Sequence, residues 1–271
     1  MHKISFIGGG NMAAAIIGGL IASGTQPTDI EVVEINDEAR TQLAGRFGVV
    51  THTDVSLARL HPLVVLAVKP QTLPEVAAVL ASRLAGQLVV SIAAGVRVAD
   101  LARWLGGYDR IVRAMPNTPA LVQAGMTGMY ASPAVSNDAR SQAEAVLRAV
   151  GGVVWVEDET QLDAVTAVSG SGPAYVFYCI ESLEAAAVAQ GLSQATARQL
   201  ALHTFFGAAK LMLESGEEPS VLRQRVTSKG GTTERGVAAL EAAAVKSAFG
   251  QAVEAASRRS AELGDELGRL A

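Results

Sequence analysis

ISFIGGGNMAAAIIGGLIASG, residues 4–24, carries no charged side chain, and the uncharged run continues to Asp29. A long apolar stretch behind Met1, His2 and Lys3 is what a secretion signal or a membrane-spanning helix presents. The glycines argue against both. Gly8, Gly9, Gly10 and Asn11 interrupt the run directly after Ile4–Ile7, where a signal core is continuous and helical. What remains is a short strand, a tight glycine turn and a helix over residues 12–22, which is the opening of a nucleotide site.

The same alternation repeats down the chain. Strand-like runs at 4–7, 30–34, 49–51, 63–67, 88–92, 111–114, 128–131 and 153–156 are separated by helical stretches. Several are continuously apolar, LVVLAV most clearly, as expected of strands covered on both faces. The pattern predicts an α/β fold with a mainly parallel, doubly wound sheet of Rossmann type, with room for antiparallel pairing at its last edge. After Glu157-Asp158-Glu159-Thr160 strand signals cease and every periodic segment reads as helix. Two domains are therefore expected, 1–158 and 159–271, the second all-helical. Within the second, Gly170, Gly172 and Pro173 break the first helix, and the stretches 215–219 and 228–231 separate later ones. The last helix carries Phe249, Val253, Ala256, Ser260, Leu263, Leu267 and Leu270 at spacings of four and three. Such a seam seats a partner helix or packs on its own domain; a small Ala-rich domain favours self-association.

Composition narrows the functional classes. The net charge of -4, with no basic cluster, gives no electrostatic footprint for nucleic acid. Cys179 is the only cysteine, which excludes an internal disulfide and fits a reducing, cytoplasmic setting. Its neighbours Val176, Phe177, Tyr178 and Ile180 predict a buried structural thiol. His2, His52, His61 and His203 show no metal-ligand spacing, so no metal site is expected.

The glycine turn has the form G-x-G-x-x-A. Gly8 permits the tight turn, Gly10 lets the backbone approach a pyrophosphate, and Ala13 keeps helix and strand close. The helix start adds free N–H groups and a favourable dipole. Glu34, at the end of the second strand, can accept hydrogen bonds from ribose hydroxyls, which favours NAD over NADP; a solvated strand end is its bland alternative. No arginine stands at that strand end, though Arg40 follows one helical turn later. Lys69, in Ala67-Val68-Lys69-Pro70, faces either the nicotinamide ribose or solvent. Small residues in Ser91-Ile92-Ala93-Ala94-Gly95 leave room for a ring. Asn117 and Thr118 offer hydrogen bonds in a loop stiffened by Pro116 and Pro119, and a structural turn would use the same residues. In the helical half, Thr227-Ser228-Lys229-Gly230-Gly231-Thr232-Thr233 combines hydroxyls, two glycines and a helix start, a pocket suited to a small carboxylate. Ser228 or Thr232 as a helix N-cap would explain one hydroxyl but not four. No nucleophile triad or paired carboxylates emerge, so hydride transfer between cofactor and a positioned substrate is the favoured chemistry.

IGGGNMA, AVKP, SIAAG, RAMPNTPA, SGSGPAYVF and TSKGGTT occur in the order and spacing of pyrroline-5-carboxylate reductases, and the chain resembles that family over nearly its whole length. The resemblance implies NADP(H)- or NAD(H)-dependent reduction of 1-pyrroline-5-carboxylate to L-proline. By motif position Ile7, Gly8, Gly9, Gly10, Asn11, Met12, Ala67, Val68, Lys69, Pro70, Ile92, Ala93 and Ala94 would line the cofactor, with Asn36 near its adenosine phosphate end and Asn117 alongside. Ser228, Gly230, Gly231, Thr232 and Thr233 would hold the substrate carboxylate, Thr233 also lying near the ring nitrogen as the donor candidate. The helical domains would interlock as homodimers, which in this family often assemble into larger rings. Two departures stand out: Lys229 replaces a common proline, and Glu34-Ile35-Asn36-Asp37 replaces a common Asn-Arg pair, which puts an NADPH preference in doubt. Two competing readings are a 3-hydroxyacid dehydrogenase, which needs a lysine where Val176 stands, and a non-catalytic dinucleotide-binding dimer, which has no need of the 228–233 pocket.

Overall fold

The structure, a computed structural model, describes residues 3–270, so His2 lies outside the described residues. Among the described residues, strands β1 (Ile4–Ile7), β2 (Ile30–Val33), β3 (Val50–His52), β4 (Leu63–Leu66), β5 (Leu88–Ser91), β6 (Ile111–Met115), β7 (Gly125–Ala131) and β8 (Gly151–Trp155) form one sheet. Its order is β3-β2-β1-β4-β5-β6-β7-β8. The first six strands are parallel, β7 runs antiparallel to β6, and β8 is parallel to β7. The antiparallel edge is therefore real, and the order steps outward on either side from β1 and β4, creating the switch point at which such sheets bind ligands.

Helices α1 (Asn11–Ala22), α2 (Asp37–Phe47), α3 (Leu73–Ala81), α4 (Val98–Trp104) and α5 (Asn137–Arg148) cover the sheet. Alternate strand residues point to opposite faces, so each strand feeds two cores. Phe6, Val65 and Val90 meet Ile16, Ile17 and Leu147 on one face. Ile7, Val64, Leu66 and Val89 meet Leu73, Leu80 and Leu101 on the other. That double coverage is why β1, β4 and β5 are buried at every residue.

The helical part contains α6 (Gln161–Val165), a π-helical turn (Thr166–Gly170), α7 (Gly172–Ala189), α8 (Gln194–Ser215), α9 (Pro219–Arg225), α10 (Thr232–Ala242) and α11 (Val245–Gly268). The chain divides into two compact units: one runs up to Ser171 and takes in the chain from Ala255 on, and the other is Gly172–Glu254. The sheet unit thus extends past the composition change at 158, because α6 and the π turn pack on the sheet: a Cβ on Gly128 would lie 2.5 Å from Val165 Cγ1, and one on Gly170 2.7 Å from Met115 Cε.

The end of α11 also belongs to the sheet unit. Arg97 donates to Asp265 Oδ1 at 2.6 Å and to the Ala261 carbonyl at 3.1 Å, Arg103 to the Gly268 carbonyl at 2.6 Å, and Trp104 Nε1 to the Leu270 carbonyl at 3.0 Å. Ser260, Gly264 and Leu267 are buried there, so the tail of the helical seam packs within its own chain, whereas Phe249 is exposed.

In the helical unit α7 packs on α8, and the buried Glu184 carboxylate accepts from Gln194 and, at 3.2 Å, from Arg198 Nη2. Few apolar groups are covered. Phe177, Tyr178, Phe206 and Leu213 are 60–82% exposed. Cys179 is accordingly half-buried and not in a core, contrary to the sequence expectation, because the apolar face around it has no cover within this chain. Among the described residues no helix is long and apolar enough to cross a membrane.

Candidate active site

The glycine turn joins the C-terminal end of β1 to α1. Gly8 has φ +102°, and a Cβ there would lie 2.6 Å from the Ala67 carbonyl oxygen, so the turn is pressed against the end of β4. Its N–H donates to the Val33 carbonyl at 2.8 Å. Gly9 is buried, and a Cβ on it would meet Leu43 Cδ1 at 2.5 Å. Gly10 is exposed, and a Cβ there would meet no atom within 4 Å. It is the N-cap residue of α1, and no side chain caps the helix. The first-turn N–H groups of Asn11 and Met12 therefore have no intrahelical acceptor. Open space before an uncapped, tightly anchored helix start fits a dinucleotide pyrophosphate.

The other crest residues follow β4, β5 and β6. Ile7 closes β1 and its carbonyl oxygen accepts from Ala67 N–H at 2.8 Å, and Ile92 N–H donates to the Leu66 carbonyl at 3.0 Å. Val68 is half-buried, while Lys69 is exposed and starts the 3-10 turn Pro70–Thr72. Ala93 is buried and Ala94 exposed. A cleft of about 370 Å³ opens here, lined by Pro70, Gln71, Ala94 and Gly95 together with Thr166, Ser171 and the inner face of α11. Asn117 is engaged otherwise: its Nδ2 donates to Ser169 O at 3.1 Å and its Oδ1 accepts from Met126 N at 2.8 Å. Its amide ties the proline loop to β7 and the π turn.

At the end of β2, Glu34 Oε2 accepts from Gly9 N–H and Oε1 from Asn36 N–H, both at 2.8 Å. Asn36 caps α2 through Oδ1, accepting from Ala39 N–H at 2.9 Å. Arg40 folds back: its Nη1 donates to the Glu34 carbonyl at 2.8 Å and the Ile35 carbonyl at 3.1 Å, and Nη2 pairs with Asp37.

The carboxylate-type loop lies in the helical unit. Gly231, not Ser228 or Thr232, is the N-cap residue of α10, again with no side-chain cap. Gly231 N–H donates to the Ser228 carbonyl at 3.0 Å, and a Cβ on Gly231 would lie 2.6 Å from Ser228 Oγ. Gly230 has φ +75°, and its N–H donates to Glu234 Oε2 at 2.7 Å. Thr227 Oγ1 donates back to the Arg223 carbonyl. The loop therefore presents the exposed Thr232 and Thr233 at an uncapped helix start, with the Gly230 N–H already taken.

Sequence reasoning missed three features. Arg113, buried on β6, pairs with Glu159 Oε1 at 2.9 Å, and the same oxygen accepts from Val98 N–H at the start of α4. The Glu34–Gly9 bond links residues 25 apart. Glu234 occupies a loop N–H. Only the last had a local signal, an acidic residue in the first turn of a helix.

Comparison with known proteins agrees with this architecture. Residues 159–263 match the family model for pyrroline-5-carboxylate reductase dimerisation, and residues 3–95 match that for NADP oxidoreductase, coenzyme F420-dependent. The chain is 46% identical to a pyrroline-5-carboxylate reductase of Pseudomonas aeruginosa over 98% of both chains, and 42% identical to that of Haemophilus influenzae over 97% and 98%. Among solved structures, a pyrroline-5-carboxylate reductase from Coxiella burnetii superposes with TM-score 0.94 at 43% identity, covering 97% of this chain and 98% of that one. A pyrroline carboxylate reductase from Plasmodium falciparum with NADP bound gives TM-score 0.84 at 29% identity with the same coverage. With its glycine turn, its two-part architecture and identity sustained from end to end, this chain belongs to the pyrroline-5-carboxylate reductase family.

Proposed function

We propose that this chain reduces 1-pyrroline-5-carboxylate to L-proline with NAD(P)H, the last step of proline biosynthesis. The observation that carries the proposal is the 46% identity to the Pseudomonas aeruginosa reductase over 98% of both chains, a match running through sheet and helical units alike.

The turn at Gly8, Gly9 and Gly10, with the start of α1 at Asn11 and Met12, holds the pyrophosphate. The crest residues Ile7, Ala67, Val68, Lys69, Pro70, Ile92, Ala93 and Ala94 line the rest of the cofactor, with Glu34 and Asn36 at its adenosine end. Asn117 acts through the loop it braces. Bound NAD(P)H supplies the hydride, which goes to the carbon of the C=N bond. Around a protonated imine, already electrophilic, the protein's task is positioning more than proton donation. The N–H groups of Thr232 and Thr233, at the positive end of α10, hold the substrate carboxylate. Ser228, Gly230 and Gly231 shape that turn, Lys229 adds a cation beside it, and Thr233 offers a hydroxyl to the ring nitrogen.

In this reading residues 1–158 bind the dinucleotide and 159–271 bind substrate and dimerise. The exposed Phe177, Tyr178, Phe206 and Leu213 favour a homodimer through the helical unit. Light scattering separates that dimer from a ring of dimers. A cytoplasmic location accords with the lone cysteine and a biosynthetic role. The deciding experiment follows the nicotinamide absorbance of the purified chain: oxidation is expected only when 1-pyrroline-5-carboxylate is added, and its absence with both NADH and NADPH would reject the function.

A further inference from the structure

We propose that Glu34 makes this reductase an NADH enzyme, by occupying from within the anion-holding groups that the 2′-phosphate of NADPH would need. The inference rests on the reductase reading above and deepens it to the choice of cofactor.

The end of β2 is where an open dinucleotide-binding sheet meets the adenine ribose. A 2′-phosphate carries close to two negative charges near neutral pH and asks for N–H donors and a guanidinium. Three donors at this corner are already held by the chain's own oxygens. Gly9 N–H and Asn36 N–H each donate to the Glu34 carboxylate at 2.8 Å. The Arg40 guanidinium is directed into the Glu34 and Ile35 carbonyls and paired with Asp37, with only 16% of its side chain exposed. The Asn36 side chain is engaged in capping α2. A phosphate would have to displace a carboxylate from two backbone donors, draw Arg40 out of three interactions, and do so beside Glu34, Asp37 and Glu38.

A ribose diol makes the opposite demand. Its hydroxyls donate, and an ionised carboxylate offers roughly four lone-pair sites, of which Gly9 and Asn36 use two. Glu34 can therefore accept from the diol without releasing the glycine turn. The bond to Gly9 also couples the ribose reader to the pyrophosphate turn, since a Cβ on Gly9 would lie 3.1 Å from Glu34 Cβ. Displacing Glu34 thus loosens the turn that must hold the pyrophosphate.

The test uses the full chain in two measurements. Fluorescence titration with NADH and NADPH, without substrate, reads binding; initial rates with 1-pyrroline-5-carboxylate read kcat/KM. NADH is expected to lead by about tenfold or more in both. Glu34→Gln keeps the shape, removes the charge, and is expected to shrink the ratio by about tenfold, with NADPH binding tighter than in the parent. Asp37→Asn, at a side chain 90% exposed, takes one negative charge from this corner and one of the three partners from Arg40, and is expected to move the ratio the same way. Equal or better binding of NADPH by the unaltered protein would overturn the proposal, as would an unchanged ratio in Asp37→Asn together with a folded Glu34→Gln. Tight, NADH-selective binding with no turnover would instead reject the reductase reading and leave the cofactor choice standing.

Discussion

Gly8 and Gly10 sit two residues apart in one turn, yet the structure assigns them different tasks, and alanine at each separates folding from cofactor binding. At Gly8 the backbone has φ +102°, a conformation costing an alanine about 1–3 kcal/mol. The added Cβ would lie 2.6 Å from the Ala67 carbonyl oxygen, 2.7 Å from its carbon and 2.8 Å from Val68 N, all backbone of the neighbouring strand end. Overpacking of that kind costs about a further 1–3 kcal/mol. The sum, roughly 2–6 kcal/mol, is a large part of an ordinary domain stability of about 5–15 kcal/mol. At about 2–4 °C per kcal/mol for a unit of this size, Gly8→Ala should lower the melting temperature by roughly 4–24 °C. Gly10 has φ -68° and ψ -176°, open to any residue, and its Cβ would meet no atom within 4 Å. Gly10→Ala loses only a modest N-cap preference, about 0.5–1 kcal/mol, and should melt within about 4 °C of the parent. In the proposed site, however, its methyl group stands where the pyrophosphate approaches, and NADH affinity should fall about tenfold, near 1.4 kcal/mol. Thermal unfolding without cofactor and fluorescence titration with NADH read the two effects independently. If Gly10→Ala bound NADH as tightly as the parent, the space before α1 would not be the pyrophosphate site; if both variants melted alike, the packing argument at Gly8 would fail.

Burial lowers the His61 pKa from its ordinary value, with Glu31 opposing the shift. The unfolded chain therefore takes up a proton that the fold resists, so stability is full above about pH 6.5 and declines as the pH falls below it; melting temperatures for the parent and His61→Gln should diverge on that acid side only. Glu159→Ala strands the buried Arg113 guanidinium and removes the acceptor of Val98 N–H, and denaturant unfolding should register a loss of about 3 kcal/mol or more, with Arg113→Met losing less because the Glu159 side chain is 21% exposed against 7% for Arg113. Thr233→Val should lower kcat by about tenfold or more if its hydroxyl meets the ring nitrogen, leaving NADH binding in the titration unaltered, whereas an equal loss in both would place Thr233 away from substrate. Phe206→Glu, on the exposed apolar face of α8, should shift light scattering toward the single chain.

The sheet was legible because its signals are local. Continuous apolar runs of four or five residues, punctuated by helical stretches, announce strands covered on both faces, and the glycine turn after the first of them fixes the binding crest. The commitments of polar side chains across the sheet were not legible. Glu34 reads as a ribose acceptor with a solvated strand end as the alternative, and only proximity to Gly9 shows its carboxylate bound to the turn. Asn117 reads as a free donor, and only the approach of Ser169 and Met126 shows its amide engaged at both ends. Arg113 and Glu159 are separated by 46 residues and meet because α6 and the π turn fold back onto β7.

The helical unit resisted reading for a different reason. In α8 only Ala197 and Ala201 are buried, while Leu200, Leu202, Phe206, Leu211 and Leu213 are exposed. These residues point around much of the helix, and a helix apolar on so many sides is ordinarily an interior one. A one-chain reading accordingly treats the neighbouring α7 segment as core and places Cys179 within it. The step from composition to burial fails here because, within one chain, no body covers this face. The match of residues 159–263 to the family's dimerisation region favours, as proposed above, a second copy of the same chain as the cover for these faces. The hydrophobic pattern thus encodes the assembly as directly as it encodes the sheet, but a pattern states only that a face is covered, and the identity of the cover has to come from the fold and the family.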